Sequence, residues 1–299
     1  LRMAIDRAEE AGDQTLIPRP MYQLGGLLWA RGELESAEEC WQLSLTIATR
    51  VGDQRAQGRG WNGLGVLAIC RGQTMEARRH LERSAEVFER LGMLEPLAIT
   101  RVNLVELYLN TALLREAVML SDKTLAQARE VHHVQGVALG LAWRAQVLLT
   151  LGRYDEAKAN AEEALRLVRH LDAREDEVLA LATLLQIHLA QRNWELSLAK
   201  CDELEPLMAS FDSEGIAPRV LAWRARALAG LGRIQEATEV LAQAERPTDQ
   251  WPHMRVRTYL SIGRALATLG RAAESRDVLQ ATLQLAEANG LRFYQLLAH

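Results

Sequence analysis

Little in this chain of 299 residues suits covalent bracing or a membrane. The three cysteines, Cys40, Cys70 and Cys201, form no CxxC or CxxH spacing. An odd count without a framework excludes a disulfide scaffold and reads as reduced thiols in a cytoplasmic setting. No run of 18 or more apolar residues is present, so no transmembrane helix is expected. The first 30 residues carry acids and turn signals where a signal peptide has its apolar stretch. Charge of one sign is not in excess either. Against 39 acids stand 35 Lys and Arg, giving a net charge of −4, so general attraction to nucleic acid or an anionic membrane is not indicated, although a local basic patch remains open. A phosphate loop, a GxSxG elbow, HExxH and DxD-type clusters are also missing, and the chain reads as neither an enzyme nor a holder of a cofactor or metal. Gly58-Arg-Gly-Trp-Asn-Gly-Leu-Gly65 is glycine-rich, yet it follows no strand and lies within an expected helix.

What is present is a period. Ala37, Ala77, Ala117, Ala157, Ser197, Ala237 and Ser275 are spaced by five steps of 40 and one of 38. Five residues earlier, Gly32, Gly72, Ala112, Gly152, Arg192, Gly232 and Gly270 keep the same interval. Self-similarity at this length marks a stack of supersecondary units, none of which buries its apolar face alone, and such stacks bind more often than they catalyse. Between the columns apolar residues recur at three and four, as in Leu24, Leu27 and Leu28, which is helical spacing. Glycine suits the second column because a residue with positive φ ends a helix there without strain at Cβ.

Each unit therefore divides into two helices. First helices are expected at 18–31, 54–71, 94–111, 134–151, 174–191, 214–231 and 252–269, and second helices at 34–50, 74–91, 114–131, 154–171, 194–210, 234–245 and 272–289. The whole of 1–299 reads as one array: a partial repeat at 1–13, repeats at 14–53, 54–93, 94–133, 134–173, 174–213, 214–251 and 252–290, and the opening of another at 291–299. Both ends and the initial Leu1 suggest a fragment of a larger protein. The sixth repeat is irregular, because Arg246-Pro-Thr-Asp-Gln-Trp-Pro252 carries two prolines and shortens its second helix.

The segment Trp61-Asn-Gly-Leu64-Gly65, then Gly72 and Ala77, resembles the tetratricopeptide pattern of Trp, Leu-Gly, turn Gly and Ala. Arg153-Tyr154-Asp155-Glu156-Ala157 and Leu231-Gly232-Arg233-Ile234-Gln235-Glu236-Ala237 resemble it too. A 40-residue period is similar to the long-repeat branch of that family, seen in kinesin light chains, bacterial peptide-sensing regulators and sensor arms of maltose-regulator-type activators. Ala112 and Arg192 depart from the turn glycine and weaken their repeats. The resemblance implies an all-α, right-handed superhelical solenoid of about seven helix-turn-helix repeats, with first helices lining the concave face.

Counting back from the turn column then gives a groove. Its polar and aromatic members are Arg19, Tyr22, Trp29, Arg59, Asn62, Glu106, Gln146, Gln186, Arg219, Arg226, Arg257 and Arg264. The last four make its C-terminal part basic, and guanidinium forks bind carboxylates bidentately. An amide such as Asn62 can hold a peptide backbone. A protein or peptide with acidic or C-terminal carboxylate groups fits this surface, unless the arginines are spent on ion pairs with neighbouring acids. Trp143 and Trp223, two units apart in the context Trp-Arg-Ala, read as packing anchors, and the cysteines as small buried hydrophobes. His132, His133 and His170 read as solvated, and His188 as a satisfied core histidine. The expected function is a non-catalytic protein- or peptide-binding scaffold of a bacterial signalling or regulatory protein. The alternatives are a small-ligand sensor arm of a transcription regulator or NTPase, and a structural arm that self-associates through its end repeats.

Overall fold

The structure is a computed structural model that describes residues 13–209, 216–244 and 252–298. The partial repeat at residues 1–12 and the irregular stretch at 246–251 lie outside the described residues. Among the described residues there is no strand. After a 3-10 turn at Gln14–Leu16 the described residues form fifteen α-helices: α1 Pro18–Ala30, α2 Leu34–Val51, α3 Gln54–Cys70, α4 Thr74–Arg90, α5 Leu94–Asn110, α6 Leu114–Glu130, α7 Val134–Thr150, α8 Tyr154–His170, α9 Arg174–Ala190, α10 Trp194–Ala209, α11 Ala217–Gly230, α12 Ile234–Ala244, α13 Pro252–Thr268, α14 Ala272–Ala288 and α15 Arg292–Ala298. The all-α expectation holds. The boundaries of the seven expected hairpins lie within one residue of the periodic reading, except that α11 begins at Ala217, where Pro218 supplies a fixed φ for the first turn, rather than at 214.

The chain forms two compact units, 1–107 and 108–299, divided inside α5. In the first, α1 pairs with α2 and α3 with α4, while α3 also packs on α1 and α2. In the second, α7–α8, α9–α10, α11–α12 and α13–α14 are hairpins, and the first helices α7, α9, α11 and α13 pack in succession.

The two columns have separate physical roles. The small residues are where helices approach most closely: Ala37, Ala77, Ala117, Ala157, Ser197 and Ala237 are fully buried, and Ser275 is nearly so. The turn residues close each hairpin in the left-handed region. After α3, the Gly72 amide donates to the Ile69 carbonyl at 3.0 Å and the Gln73 amide to the Ala68 carbonyl at 2.8 Å, so two otherwise orphaned carbonyls at the helix end are satisfied. Ala112 and Arg192 do not break this pattern. Each adopts φ 60° and makes the same pair of bonds, so these repeats keep their turn at the cost of strain that glycine avoids.

The glycines of α3 are packing residues rather than a phosphate loop. A Cβ at Gly63 would stand 2.6 Å from the Trp41 ring, one at Gly65 2.6 Å from Leu81, and one at Gly58 2.8 Å from Phe88. The freed space admits Trp41, whose Nε1 donates to the Tyr22 carbonyl at 3.0 Å and which packs with Ala37, Leu64 and Leu67. The second unit's main core gathers Leu141, Leu181, Leu184, Leu185, Leu204 and Trp223. Each leucine fully buried there contributes about 1.5–3 kcal/mol.

Candidate functional site

In the first unit two of the expected groove residues, Tyr22 and Asn62, join an internally bonded polar seam. Asn103 Nδ2 donates to Asn62 Oδ1 at 3.0 Å, and Asn62 is in side-chain hydrogen-bond contact with Tyr22. Burial raises the Tyr22 phenol above its ordinary value, with Asn62 and then Arg59 opposing that rise. Asn62 is only 8% exposed and its carbonyl is already occupied, so a ligand must displace a bond to use it. Burial pushes the Cys70 thiol up to about 12, with Trp29 opposing and the charge of Glu106 adding to the rise. Arg19 is exposed, and Arg59 is half-buried beside Tyr22.

In the second unit the candidates part further. Gln146 is buried and donates to Thr183 Oγ1 at 2.6 Å, joining α7 to α9, while Gln186 donates to its own helix at the Ala182 carbonyl, 3.1 Å away. Arg219 is 6% exposed, and its guanidinium lies 5.8 Å from the centre of the Trp223 ring, a cation–π arrangement that holds it inside α11 rather than out in a groove. Arg257 is half-buried on α13.

Arg226 and Arg264 behave differently. They occupy the same register on α11 and α13, which pack on each other. Arg226 Nε is buried without a hydrogen-bond partner. Burial first, then the charges of Arg264 and Arg192, push the Arg226 guanidinium down to about 10. Arg264 is exposed at the surface, yet burial on its protein-facing side still lowers it, with Tyr154 opposing. Arg192, in the left-handed turn after α9, was legible only as a broken glycine, and Tyr154 only as part of the repeat motif. The charge of Arg192 reaches Arg226, and that of Tyr154 reaches Arg264. Among the described residues, no carboxylate pairs with Arg192, Arg226 or Arg264.

Other arginines follow the ion-pair alternative, and with the same period. Arg144 Nε donates to Asp122 at 2.6 Å, and eighty residues on Arg224 Nη2 meets Asp202 and Glu205, each at 2.7 Å. Arg153 grips Glu156 and Arg233 grips Glu236 with two bonds each, as Arg271 does with Glu274. Arg169 bridges Glu177 and Glu203 at 2.6 and 2.7 Å. Such exposed pairs contribute about 0–1 kcal/mol each, and they leave their guanidinium groups occupied.

Trp223 is a core anchor as expected, and Trp143 is half-buried. All three cysteines are buried and none is in a disulfide. His133 caps α7, its Nδ1 accepting the Gly136 amide at 3.1 Å. His188 corrects its expectation in part: it is 4% exposed, but its Nδ1 has no hydrogen-bond partner. Among the described residues, no group of three His, Cys, Asp or Glu could hold a metal ion, and no helix is long and apolar enough to cross a membrane.

A family model described as MalT-like TPR region matches residues 61–297, and one described as tetratricopeptide repeat matches residues 16–92. A comparison with curated proteins finds no match. Among solved structures, the apo form of RapI is similar with a TM-score of 0.69 at 13% identity, over 91% of this chain and 98% of that one. NprR in complex with its cognate peptide NprX is similar with a TM-score of 0.63 at 15% identity, over 94% of this chain and 87% of that one. A signal-transduction ATPase with numerous domains and a tetratricopeptide repeat sensor, from Pyrococcus horikoshii, gives 0.59 at 14% identity, over 95% and 46%. At these identities the likeness is one of fold.

Proposed function

We propose that this chain, which belongs to the family of MalT-like tetratricopeptide regions, is the non-catalytic binding arm of a regulatory protein and takes an acidic or carboxylate-terminated peptide on the first-helix face of its second unit. The observation that carries this reading is the pair Arg226 and Arg264: in register on packed helices, partly desolvated, and without a carboxylate among the described residues. A desolvated guanidinium whose buried Nε has no partner, as in Arg226, is arranged for an incoming anion, and a guanidinium fork matches a carboxylate in two bonds. Support for a peptide comes from NprR, which shares the fold and was seen with a peptide bound. A small-ligand sensor arm is the second reading, favoured by Arg192 and Arg264 both lying within electrostatic reach of Arg226.

The test is fluorescence anisotropy with a degenerate pool of labelled peptides bearing free C-terminal carboxylates and acidic side chains. The expected result is binding by the wild type and at least a tenfold loss in the double variant Arg226→Glu, Arg264→Glu, with the far-ultraviolet circular dichroism of the two proteins superimposable. Equal binding by both proteins overturns the assignment to this face.

A further inference from the structure

We propose that the first-helix face of the first unit carries a subsite for an aromatic side chain of an acidic peptide, seated over Gly26 between Tyr22 and Trp29. The subsite uses no residue of the second unit and so goes beyond the reading built on Arg226 and Arg264.

Gly26 is the signal. The other described glycines inside helices stand where a neighbour occupies the place of a Cβ: Trp41 beside Gly25 and Gly63, Leu81 beside Gly65, Phe88 beside Gly58, Trp194 beside Gly230. The turn glycines hold positive φ. Gly26 does neither. It lies within α1, its φ is not positive, and a Cβ built on it meets nothing within 4 Å. Glycine weakens a helix interior relative to alanine, so neither packing nor backbone conformation accounts for it. What it leaves is a stretch of bare helix backbone, open from outside, that another group can approach closely.

Aromatic walls stand on both sides of that opening. Tyr22 is four residues before Gly26 and Trp29 three after, so the three share one helix face. Both rings are half-buried and pack on the cluster of Ala37, Trp41, Leu64 and Leu67, which fixes their bases and leaves part of each exposed. The walls are about 10 Å apart along the helix axis. A ring seated midway is about 5 Å from each, inside the range of roughly 4.5–7 Å at which aromatic pairs attract. Val66 stands at the register of Gly26 on α3, which packs on α1, and adds a half-buried apolar neighbour.

Charge decides what carries the ring. Arg19 and Arg59 share a register on the same two helices, one turn before Tyr22 and Asn62, and among the described residues no carboxylate pairs with either. Arg19 precedes Gly26 by about 10 Å along α1, which an extended chain covers in about three residues. The occupant is therefore a peptide with Asp or Glu three positions from Phe, Tyr or Trp. A small aromatic molecule over Gly26 leaves the arginines unused, whereas the peptide spans both and meets the guanidinium groups with its carboxylate.

A positional-scanning array of capped heptapeptides, degenerate except at fixed positions, tests the subsite when probed with labelled protein. Capping removes terminal carboxylates. Pools with Phe, Tyr or Trp fixed at the centre should retain at least tenfold more protein than the Ala pool. Fixing Asp three positions to one side of the aromatic residue should raise retention at least threefold, and fixing Lys there should lower it. Gly26→Leu fills the opening and should abolish the aromatic preference with circular dichroism unchanged. Gly26→Ala keeps the proposal testable if the larger side chain disturbs folding: it should raise the melting temperature and cut the preference at least threefold. The double variant Arg226→Glu, Arg264→Glu should keep the preference in full, so failure of that face and failure of this subsite are read separately. Absence of an aromatic preference in the wild type, an unchanged preference in either folded glycine variant, or its loss in the arginine double variant overturns the subsite. Competition by N-acetylphenylalanine amide as strong as that of the best heptapeptide pool overturns a peptide as its occupant.

Discussion

Ser84 donates its hydroxyl proton to the Gly58 carbonyl at 2.8 Å, in the buried seam where α4 crosses the start of α3. Forty residues earlier Ser44 makes the same bond to the Pro18 carbonyl at 2.7 Å, so the repeat is a repeat of hydrogen bonds as well as of shapes. Both serines are fully buried. Replacing Ser84 with Ala leaves the Gly58 carbonyl without this donor and should cost about 1–3 kcal/mol, read as a lower midpoint in urea with an unchanged slope. No change in midpoint would mean the carbonyl finds another donor.

The left-handed turns allow a paired test of opposite sign. Ala112 holds φ 60° where most repeats place glycine. Relief of that strain outweighs the extra freedom glycine brings to the unfolded chain, so Ala112→Gly should stabilise by about 0.5–1 kcal/mol. At Gly152, with φ 72° and open space where a Cβ would stand, Gly152→Ala should destabilise by about 1 kcal/mol through the backbone alone. Melting curves of the two variants beside the wild type check both signs, and a shift in the same direction for both would contradict the account.

His188 supplies a pH dependence. Burial lowers it first, and the charges of Lys158 and Lys200 lower it further, with Glu162 opposing. Its folded value therefore lies below the unfolded 6.5, and the neutral form is the one the fold prefers. The contribution to stability is complete above about pH 6.5 and is lost as the pH falls through that value toward the folded one, because the unfolded chain then binds the extra proton. His188→Leu should flatten the decline in melting temperature between about pH 7 and pH 5. His80, lowered by burial and by Arg79, keeps part of the slope.

Thiol chemistry should report folding directly. The Cys70 and Cys201 thiols are both pushed up to about 12 by burial, and they are 4% and 0% exposed. Thiolate is the nucleophile, so native protein exposed to iodoacetamide near pH 8 should leave both unmodified, while protein in urea is alkylated at both. Intact-mass spectrometry before and after denaturation distinguishes the two states. Rapid labelling of either thiol in native protein would show that its helix opens far more readily than its burial implies.

The helices were legible because a 40-residue period writes the same hydrophobic spacing and the same turn again and again, so Ala37 and Gly32 each stand for a column. The candidate site was legible only as a face. Periodicity places Gln146 and Arg219 on the same side as Arg226, but whether a side chain is taken up by a neighbour depends on the next repeat. Thr183 claims Gln146, the Trp223 ring holds Arg219, and no described carboxylate claims Arg226. Arg192 was hidden because a departure from glycine reads as a flaw in the pattern. A long charged residue in a column where the backbone favours glycine was the signal that could have found it.

From α1 to α9 every helix ends at the same left-handed joint, and Gly52, Gly92, His132 and Asp172 supply it between repeats as Gly32, Gly72 and Gly152 supply it within them. A segment excised between two equivalent joints therefore has ends that match those of any other such segment. Duplication or deletion of one 40-residue cassette rejoins like to like, so the array can change its length by recombination while the chemistry of each surviving repeat stays as it was.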